Sequence, residues 1–209
     1  SSRFDDLVTG GEDITAVAQC RFLYGNSHAT IKDREDGLHF SCRSGYEAFL
    51  LPGHHSDFRL KCILRLEGSG KCGLVIRINA DGDGYYLSLD LVKGLAQIRA
   101  WGANPTVFEH SFRYEQLQDA HFQEEQRESW PIEVVAHGMY LEVSIGGYVV
   151  LSLVDEAFAE GAVGFYAESA SLAVSQLRVE SLSRPVTEHA SEMVYTATRP
   201  DPQDQEATR

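Results

Sequence analysis

Arginine, aspartate, tyrosine and tryptophan alternate with apolar residues in segment 71–101, KCGLVIRINADGDGYYLSLDLVKGLAQIRAW. Because successive side chains of a β-strand point to opposite faces, this alternation predicts one polar and one apolar face. The chemistry-bearing residues assigned to the polar face are Arg77, Tyr86, Asp90, Arg99 and Trp101. An aromatic ring beside guanidinium and carboxylate groups suits a sugar, since the ring stacks on C–H groups while the charged groups bond the hydroxyls. The segment therefore predicts a sugar-binding face.

Two explanations of this polar face stay open. A ligand site is one, because an exposed Trp101 beside charged residues lacks a packing reason. An ion-pair ladder across neighbouring strands is the other, and such ladders contribute little to stability. Glu47 in SGYEAF and Glu168 in FYAES occupy comparable strand-end positions and could complete a site, although a lone glutamate there is more often simply solvated.

Three strands joined by glycine-containing turns must carry these residues. The alternation assigns the following residues to the apolar face: Leu74, Ile76, Ile78, Leu87, Leu89, Leu91, Ala96, Ile98 and Ala100. Similar short alternating runs recur along the chain, and Gly146-Gly147 between two of them is a strong hairpin signal. We count about ten to twelve strands and no helix of globular length, which indicates an all-β sandwich or barrel. Residues 103–130 are polar and lack alternation, which predicts a long loop, with or without a helical turn.

The charge of the chain excludes several classes of partner. A formal net charge of −13 disfavours nucleic acid, which needs a basic footprint, and equally an anionic membrane surface or a highly acidic polysaccharide. No apolar run approaches the length of a membrane span. The sequence begins at Ser1 without a methionine or a visible signal peptide, so we expect a processed product or a piece of a longer protein.

Four cysteines, Cys20, Cys42, Cys62 and Cys72, are present. Cys62 and Cys72 fall on the apolar parity of their strands, which predicts reduced, buried thiols. A Cys62–Cys72 bridge between neighbouring strands is the alternative. No Cys or His pair has zinc-ligand spacing. Unpaired cysteines favour the cytoplasm weakly, and secretion stays open.

The turn between the first two strands of segment 71–101 is the one metal candidate. Asn79, Asp81 and Asp83, followed by Gly84, nearly match a calcium-binding loop. However, the flanks are strands, the first position is Asn, and the final acid, Asp90, is too short for the usual bidentate glutamate. A tight Asp- and Gly-rich turn explains the same residues. We therefore predict no cofactor and keep calcium as the minor alternative.

Catalytic signals are sparse. A glycosidase needs two carboxylates about 5–10 Å apart in one cleft. The acids that we assign to one β-face are Asp90, Glu133 and Glu142, and they do not form the single-strand E-x-D-x-x-E pattern of jelly-roll glucanases. The pair His54-His55 fits a turn. We predict no catalytic residue.

Two segments, GKCGLVIRINADGDGYYLSLD and WPIEVVAHGMYLEVSIGGYVVLSLVDEAFAEGAVGFYAES, carry a family resemblance. Over residues 29–183 the chain resembles the concanavalin A-like, or laminin-G-like, jelly rolls. It is most similar to the C-terminal or accessory modules of family 32 fructan-active glycoside hydrolases and to fructan-binding carbohydrate modules. The resemblance implies a sandwich of two antiparallel sheets that has no catalytic role of its own and either binds sugar or is purely structural.

The resulting organisation has three parts. Residues 1–25 form a lead-in strand or the end of a preceding domain, residues 26–184 form the jelly roll, and residues 185–209 form a polar, disordered tail. We predict a carbohydrate-binding accessory domain that works beside a catalytic glycosidase domain. The alternatives are a structural β-sandwich of a glycoside hydrolase that binds nothing, and an independent jelly-roll hydrolase or lyase.

Overall fold

The structure, a computed structural model, describes residues 2–103, 112–122 and 127–185. Thirteen strands account for most of this part of the chain, and the long helices of other fold classes do not occur in it. The strands are β1 (Val8–Asp13), β2 (Arg21–Phe22), β3 (Ala29–Arg34), β4 (Gly37–Leu50), β5 (Phe58–Glu67), β6 (Lys71–Ile78), β7 (Gly84–Asp90), β8 (Leu95–Ala103), β9 (Phe112–His121), β10 (Trp130–His137), β11 (Tyr140–Ile145), β12 (Tyr148–Val154) and β13 (Ala162–Leu182). No described helix is long and apolar enough to cross a membrane.

Two antiparallel sheets are built around the long strands β4 and β13, which take part in both. The front sheet has the order β2-β4-β13-β6-β7-β8-β9, using residues 46–50 of β4 and 162–168 of β13. The back sheet has the order β3-β4-β13-β5-β10-β11-β12, using residues 38–42 of β4 and 170–181 of β13. The prediction of a two-sheet jelly-roll sandwich is confirmed.

One continuous apolar core fills the space between the sheets. On β7 and β8 the alternation places the predicted residues inward, so that Leu87, Leu89, Ala96, Ile98 and Ala100 are buried in this core. Three of the four cysteines are also buried, and all four are free thiols. Burial raises the pKa of Cys62 and of Cys72 to about 12, because an apolar interior disfavours the thiolate.

A β-bulge at Arg77 overturns the predicted facing of β6. Leu74 and Ile76 point into the core as expected, but Arg77 adopts a φ of 53° where β6 loses register with β13. A bulge inserts one extra residue, so every later side chain changes face. Ile78 consequently joins Val75 in a second apolar cluster on the outer side of the front sheet.

Segment 103–130 also differs from the prediction of a long loop. Residues Phe112–His121 form β9, which pairs with β8 and is the edge strand of the front sheet. Polar side chains on an edge strand do not need to alternate with apolar ones, which is why the segment lacks a strand pattern. Residues 104–111 and 123–126 of the predicted loop lie outside the described residues.

The lead-in segment is built into the sandwich. A 3₁₀ helix, Ser2–Leu7, lies on the outer face of the back sheet with Phe4 against Val135 and Leu182, and β1 then pairs with β13. Beneath this helix the buried Arg59 donates to Asp5 at 2.7 Å and to Glu180 at 2.9 Å. The predicted tail, apart from Pro185, lies outside the described residues.

Glu180 is an acid whose surroundings favour its ionised form. Burial acts to raise its pKa, but the Arg59 hydrogen bond and the charges of Arg59, Lys61 and Arg178 together hold the pKa below its ordinary 4.5.

Candidate functional site

A cavity of about 820 Å³ opens on the outer face of the front sheet. Two other cavities are of comparable size, one of about 840 Å³ on the back sheet and one of about 910 Å³ at the end of the sandwich. Aromatic residues distinguish them: the described lining of the back-sheet cavity has none, and that of the end cavity has only Phe158. The front cavity is lined by Trp101 and by four tyrosines, together with charged side chains. Of these three large cavities it is therefore the best suited to a sugar ring.

The register of β7 and β8 sets the positions of the polar residues. Across these strands Gly84 faces Trp101, Tyr86 faces Arg99, Ser88 faces Gln97 and Asp90 faces Leu95. Asp90 and Arg99 are thus two rows apart, which at about 3.4 Å per residue is about 14 Å between their backbones. They are therefore not directly opposite each other as rungs of one ion-pair ladder, and the pair Ser88 and Gln97 lies between them.

Tyr166 forms the floor of the cavity because β6 has a glycine beside it. Gly73 lies between Ser88 and Tyr166 in the register, and a Cβ at Gly73 would sit 1.8 Å from the Leu87 carbonyl oxygen and 2.6 Å from the Tyr166 ring. With no side chain in the way, the Tyr166 hydroxyl crosses β6 and lies 2.6 Å from the Ser88 Oγ. The floor is therefore a buried aromatic ring held in a fixed orientation.

Tyr46 lies at the centre of a tyrosine cluster. Its ring centroid is 5.6 Å from those of Tyr24 and Tyr166 and 6.4 Å from that of Tyr86. The Tyr86 hydroxyl donates to the Gly82 carbonyl at 2.5 Å. Burial raises the pKa values of Tyr46, Tyr86 and Tyr166, so these hydroxyls stay protonated at neutral pH.

Charged and amide side chains line the rest of the cavity. Arg99 donates to the Gln97 side-chain oxygen, which fixes both groups on β8. The Asp90 Oδ1 accepts from the amides of Val92 and Lys93 at 3.2 and 2.8 Å and so also closes the β7–β8 turn. The other charged lining residues are Lys71, Lys93 and Glu168. Guanidinium, carboxylate and amide groups beside aromatic rings are the set that sugar hydroxyls need.

Five of the seven predicted site residues line this one cavity, namely Tyr86, Asp90, Arg99, Trp101 and Glu168. Arg77 does not, and its predicted outward orientation is wrong because of the bulge. Its side chain is 1% exposed and donates to the Ser56 carbonyl at 3.0 and 2.6 Å and to the Phe158 carbonyl at 3.1 Å. Burial lowers its pKa, and the Asp57 carboxylate lies 3.9 Å away. Arg77 therefore ties two loops together at the end of the sandwich.

Glu47 is likewise outside the cavity, yet it supports one wall. It is fully buried, and its carboxylate accepts from the amides of Tyr24 at 2.8 Å and Asn26 at 2.7 Å. Strand β2 ends at Phe22, and the Leu23 amide still donates to the Ala48 carbonyl of β4 at 2.9 Å. From Tyr24 onward the Glu47 carboxylate takes over as the acceptor for the departing chain. Glu47 thus holds Tyr24 over the cavity.

In the predicted calcium-type turn, the Asn79 side chain bonds the backbone amides of the turn itself. The Asn79 Oδ1 accepts from the amides of Asp81 and Asp83, both at 2.9 Å. This is the hydrogen bonding of an Asx turn, which uses the oxygen that a metal would require. The three acids considered for catalysis do not share a face, since Asp90 lies on the front sheet, whereas Glu133 on β10 and Glu142 on β11 belong to the back sheet, opposite Ser144 and Val135.

Three of the lining tyrosines were not predicted. Tyr166 has the same strand parity as Glu168 in FYAES, so the alternation could have identified it. Tyr46 precedes Glu47, and the prediction selected the charged neighbour rather than the ring. Tyr24 follows a two-residue strand, and no sequence pattern indicates that its loop folds over the sheet.

Comparisons with known proteins identify the fold. No protein-family profile and no curated protein sequence matches the chain. Among solved structures it is similar to the carbohydrate-binding module CBM66 from Bacillus subtilis, with 16% identity and a TM-score of 0.65 over 81% of this chain and 100% of that one. It is also similar to a Bacillus subtilis protein of unknown function with a galectin-like fold, with 12% identity and a TM-score of 0.66 over 86% and 98%. A third is the exoplasmic/lumenal domain of VIP36 in its Ca²⁺/Man3GlcNAc-bound form, with 9% identity and a TM-score of 0.60 over 84% and 89%. At these low identities the similarity shows the fold alone, a galectin-like jelly-roll sandwich.

Proposed function

We propose that this chain is a carbohydrate-binding module that holds the terminal sugar of a neutral, fructan-type glycan in the front cavity. The observation that carries the proposal is the convergence of Asp90, Arg99 and Trp101 on one cavity whose floor is the fixed ring of Tyr166. The fructan assignment rests on the resemblance to family 32 accessory modules, and similarity to a carbohydrate-binding module supports the binding role.

The roles follow from the side chains. Trp101 is 40% exposed and supplies the stacking surface. Arg99 donates to two neighbouring sugar hydroxyls, and Asp90 accepts from them through the oxygen not engaged in the β7–β8 turn. Glu168 completes the rim. In this role the chain anchors a separate catalytic glycosidase domain to its substrate.

Affinity should be modest, since an open cavity on a sheet buries limited area and ordering a glycan costs entropy. We expect dissociation constants from roughly micromolar to millimolar. Anionic glycans should bind more weakly at low salt, because the net charge of −13 repels them.

Isothermal titration calorimetry against levan, inulin, xylan and alginate tests the proposal. We expect heat with levan or inulin, and we expect Trp101→Ala and Arg99→Ala to remove it. Tyr148→Ala and Arg178→Ala are matched controls, since Tyr148 is 71% exposed, the Arg178 side chain is 39% exposed, and both lie on the back-sheet side of the molecule. No heat with any of the four glycans would support a purely structural domain. A preference for alginate would point to a lyase-like jelly roll and would refute the fructan assignment.

A further inference from the structure

The front cavity is wider than one sugar requires. Between the β4 and β8 sides of its floor lie β13, β6 and β7, so four strand spacings of about 4.8 Å separate these sides by about 19 Å. The volume of about 820 Å³ is at the upper end of the range of roughly 300–1,000 Å³ that accommodates drug-sized ligands. A single monosaccharide beside Asp90 and Arg99 would leave a large part of this space unfilled.

The two sides of the cavity differ in chemistry. The side at β7 and β8 carries Asp90, Gln97 and Arg99, whereas the β4 side carries the rings of Tyr24 and Tyr46. Tyr24 is 51% exposed, and its hydroxyl reaches the turn before β7, 2.1 Å from where a Cβ of Gly82 would lie. Tyr24 therefore forms a wall that presents an accessible aromatic surface to the cavity.

The backbone of Tyr24 is held in place by the buried carboxylate of Glu47. Glu47 is 0% exposed, and its carboxylate accepts hydrogen bonds from three backbone amides, those of Tyr24, Asn26 and Ala48. Burying a carboxylate is unfavourable unless its oxygens are fully hydrogen-bonded. An apolar residue at position 47 would pack in the strand without this cost, but it would leave the Tyr24 segment unattached. This arrangement fixes the position of Tyr24.

We propose that Tyr24, backed by Tyr46 and positioned by Glu47, forms a second sugar subsite that takes the residue adjoining the terminal sugar. This inference rests on the proposed function, because it assigns the first subsite to Asp90, Arg99 and Trp101. The ligand of the second subsite is a neutral sugar ring of the same glycan, bound by stacking of its C–H face on Tyr24. The module then recognises at least a disaccharide.

Chain-length dependence measured by calorimetry tests the subsite, with D-fructose, levanbiose and levantriose as probes. We expect levanbiose and levantriose to bind about tenfold more tightly than fructose, a difference of about 1.4 kcal/mol. Tyr24→Ala should abolish this gain, and Tyr24→Phe should retain it because the ring remains. Glu47→Gln should reduce the gain while circular dichroism shows an intact fold. Tyr148→Ala, which removes a more exposed tyrosine from the β11–β12 hairpin, should change nothing.

The outcomes separate the two proposals. Equal affinity for fructose and levanbiose, or a gain that survives in Tyr24→Ala, would overturn the second subsite and leave the first intact. A Tyr24→Ala protein that loses fructose and levanbiose binding in equal measure would overturn it as well, by placing Tyr24 in the first subsite. Absence of heat with all three probes would refute the proposed function, and the second subsite with it.

Discussion

Replacement of Arg77 by alanine should destabilise this protein far more than replacement of Arg99, although both arginines lie on the front sheet, on β6 and β8. Arg77 is buried at the bulge of β6, and its guanidinium bonds the carbonyls of Ser56 and Phe158. The substitution would leave these carbonyls without their donor in the interior, and it would remove the cation nearest to the buried Asp57.

The magnitude follows from these contacts. A hydrogen bond to a charged group contributes about 1.5–3 kcal/mol, and removal of one partner from a buried charged network costs about 3–5 kcal/mol. We therefore expect Arg77→Ala to lower the free energy of unfolding by about 3–5 kcal/mol. In a domain of this size each kcal/mol corresponds to about 2–4 °C, so the melting temperature should fall by roughly 6–20 °C.

Urea denaturation of the wild type, Arg77→Ala, Arg77→Lys and Arg99→Ala measures this difference. Arg77→Lys should retain part of the stability because an ammonium can still reach one carbonyl. Arg99→Ala should stay within about 0.5 kcal/mol of the wild type while losing sugar binding. A loss of less than about 1 kcal/mol in Arg77→Ala would mean that the end-of-sandwich loops do not depend on this side chain, and the explanation of the bulge would be wrong.

Three further predictions follow from other features. Gly73→Ala should lower the free energy of unfolding by about 1–3 kcal/mol and weaken sugar binding, because the new Cβ would clash with Leu87 and Tyr166. The control Gly10→Ala should change neither property, because a Cβ at Gly10 would have nothing within 4 Å. Similar urea midpoints for the two variants would contradict the role of Gly73. The pKa of Glu180 in the folded protein is held below its ordinary 4.5, so ionised Glu180 stabilises the fold fully above pH 4.5, and this stabilisation is lost as the pH falls through the folded-state pKa. Glu180→Gln should therefore make the free energy of unfolding depend less steeply on pH in the acid range. An unchanged pH dependence would exclude this acid as a contributor. Chelators should leave the melting temperature unchanged, since Asn79 bonds its own turn, and a saturable rise with added calcium would show that a metal binds there.

The sequence predicts which side chains of β7 and β8 point into the core and which point to the front cavity, because strand side chains alternate. Along β7 and β8 the alternation is uninterrupted, so Tyr86, Arg99 and the apolar residues between them occur on the predicted faces. Alternation predicts the facing of side chains only as far as a strand is regular. The bulge at Arg77 has no sequence marker, because a φ of 53° is uncommon for arginine and the residue type does not announce it. Prediction from parity therefore stops at a bulge.

The remaining features of the site depend on contacts between distant parts of the chain. Tyr24 approaches the cavity because Glu47 holds its loop, and Tyr166 reaches Ser88 across β6 because Gly73 is opposite in the register. Neither relation is visible from local pattern, since each joins segments more than twenty residues apart. The charge of Glu47 suggested a ligand-binding residue, but its carboxylate is buried and accepts hydrogen bonds from backbone amides.

The sharing of β13 by both sheets constrains how the polypeptide reaches its native state during synthesis. β13 is the last described strand, and it supplies the central partner of β4, β5 and β6. Until residues 162–182 leave the ribosome, those three strands expose unpaired edges, and neither sheet can close. Folding must therefore wait for nearly the whole domain, and truncation before Ala162 should yield an aggregating chain rather than a smaller folded unit.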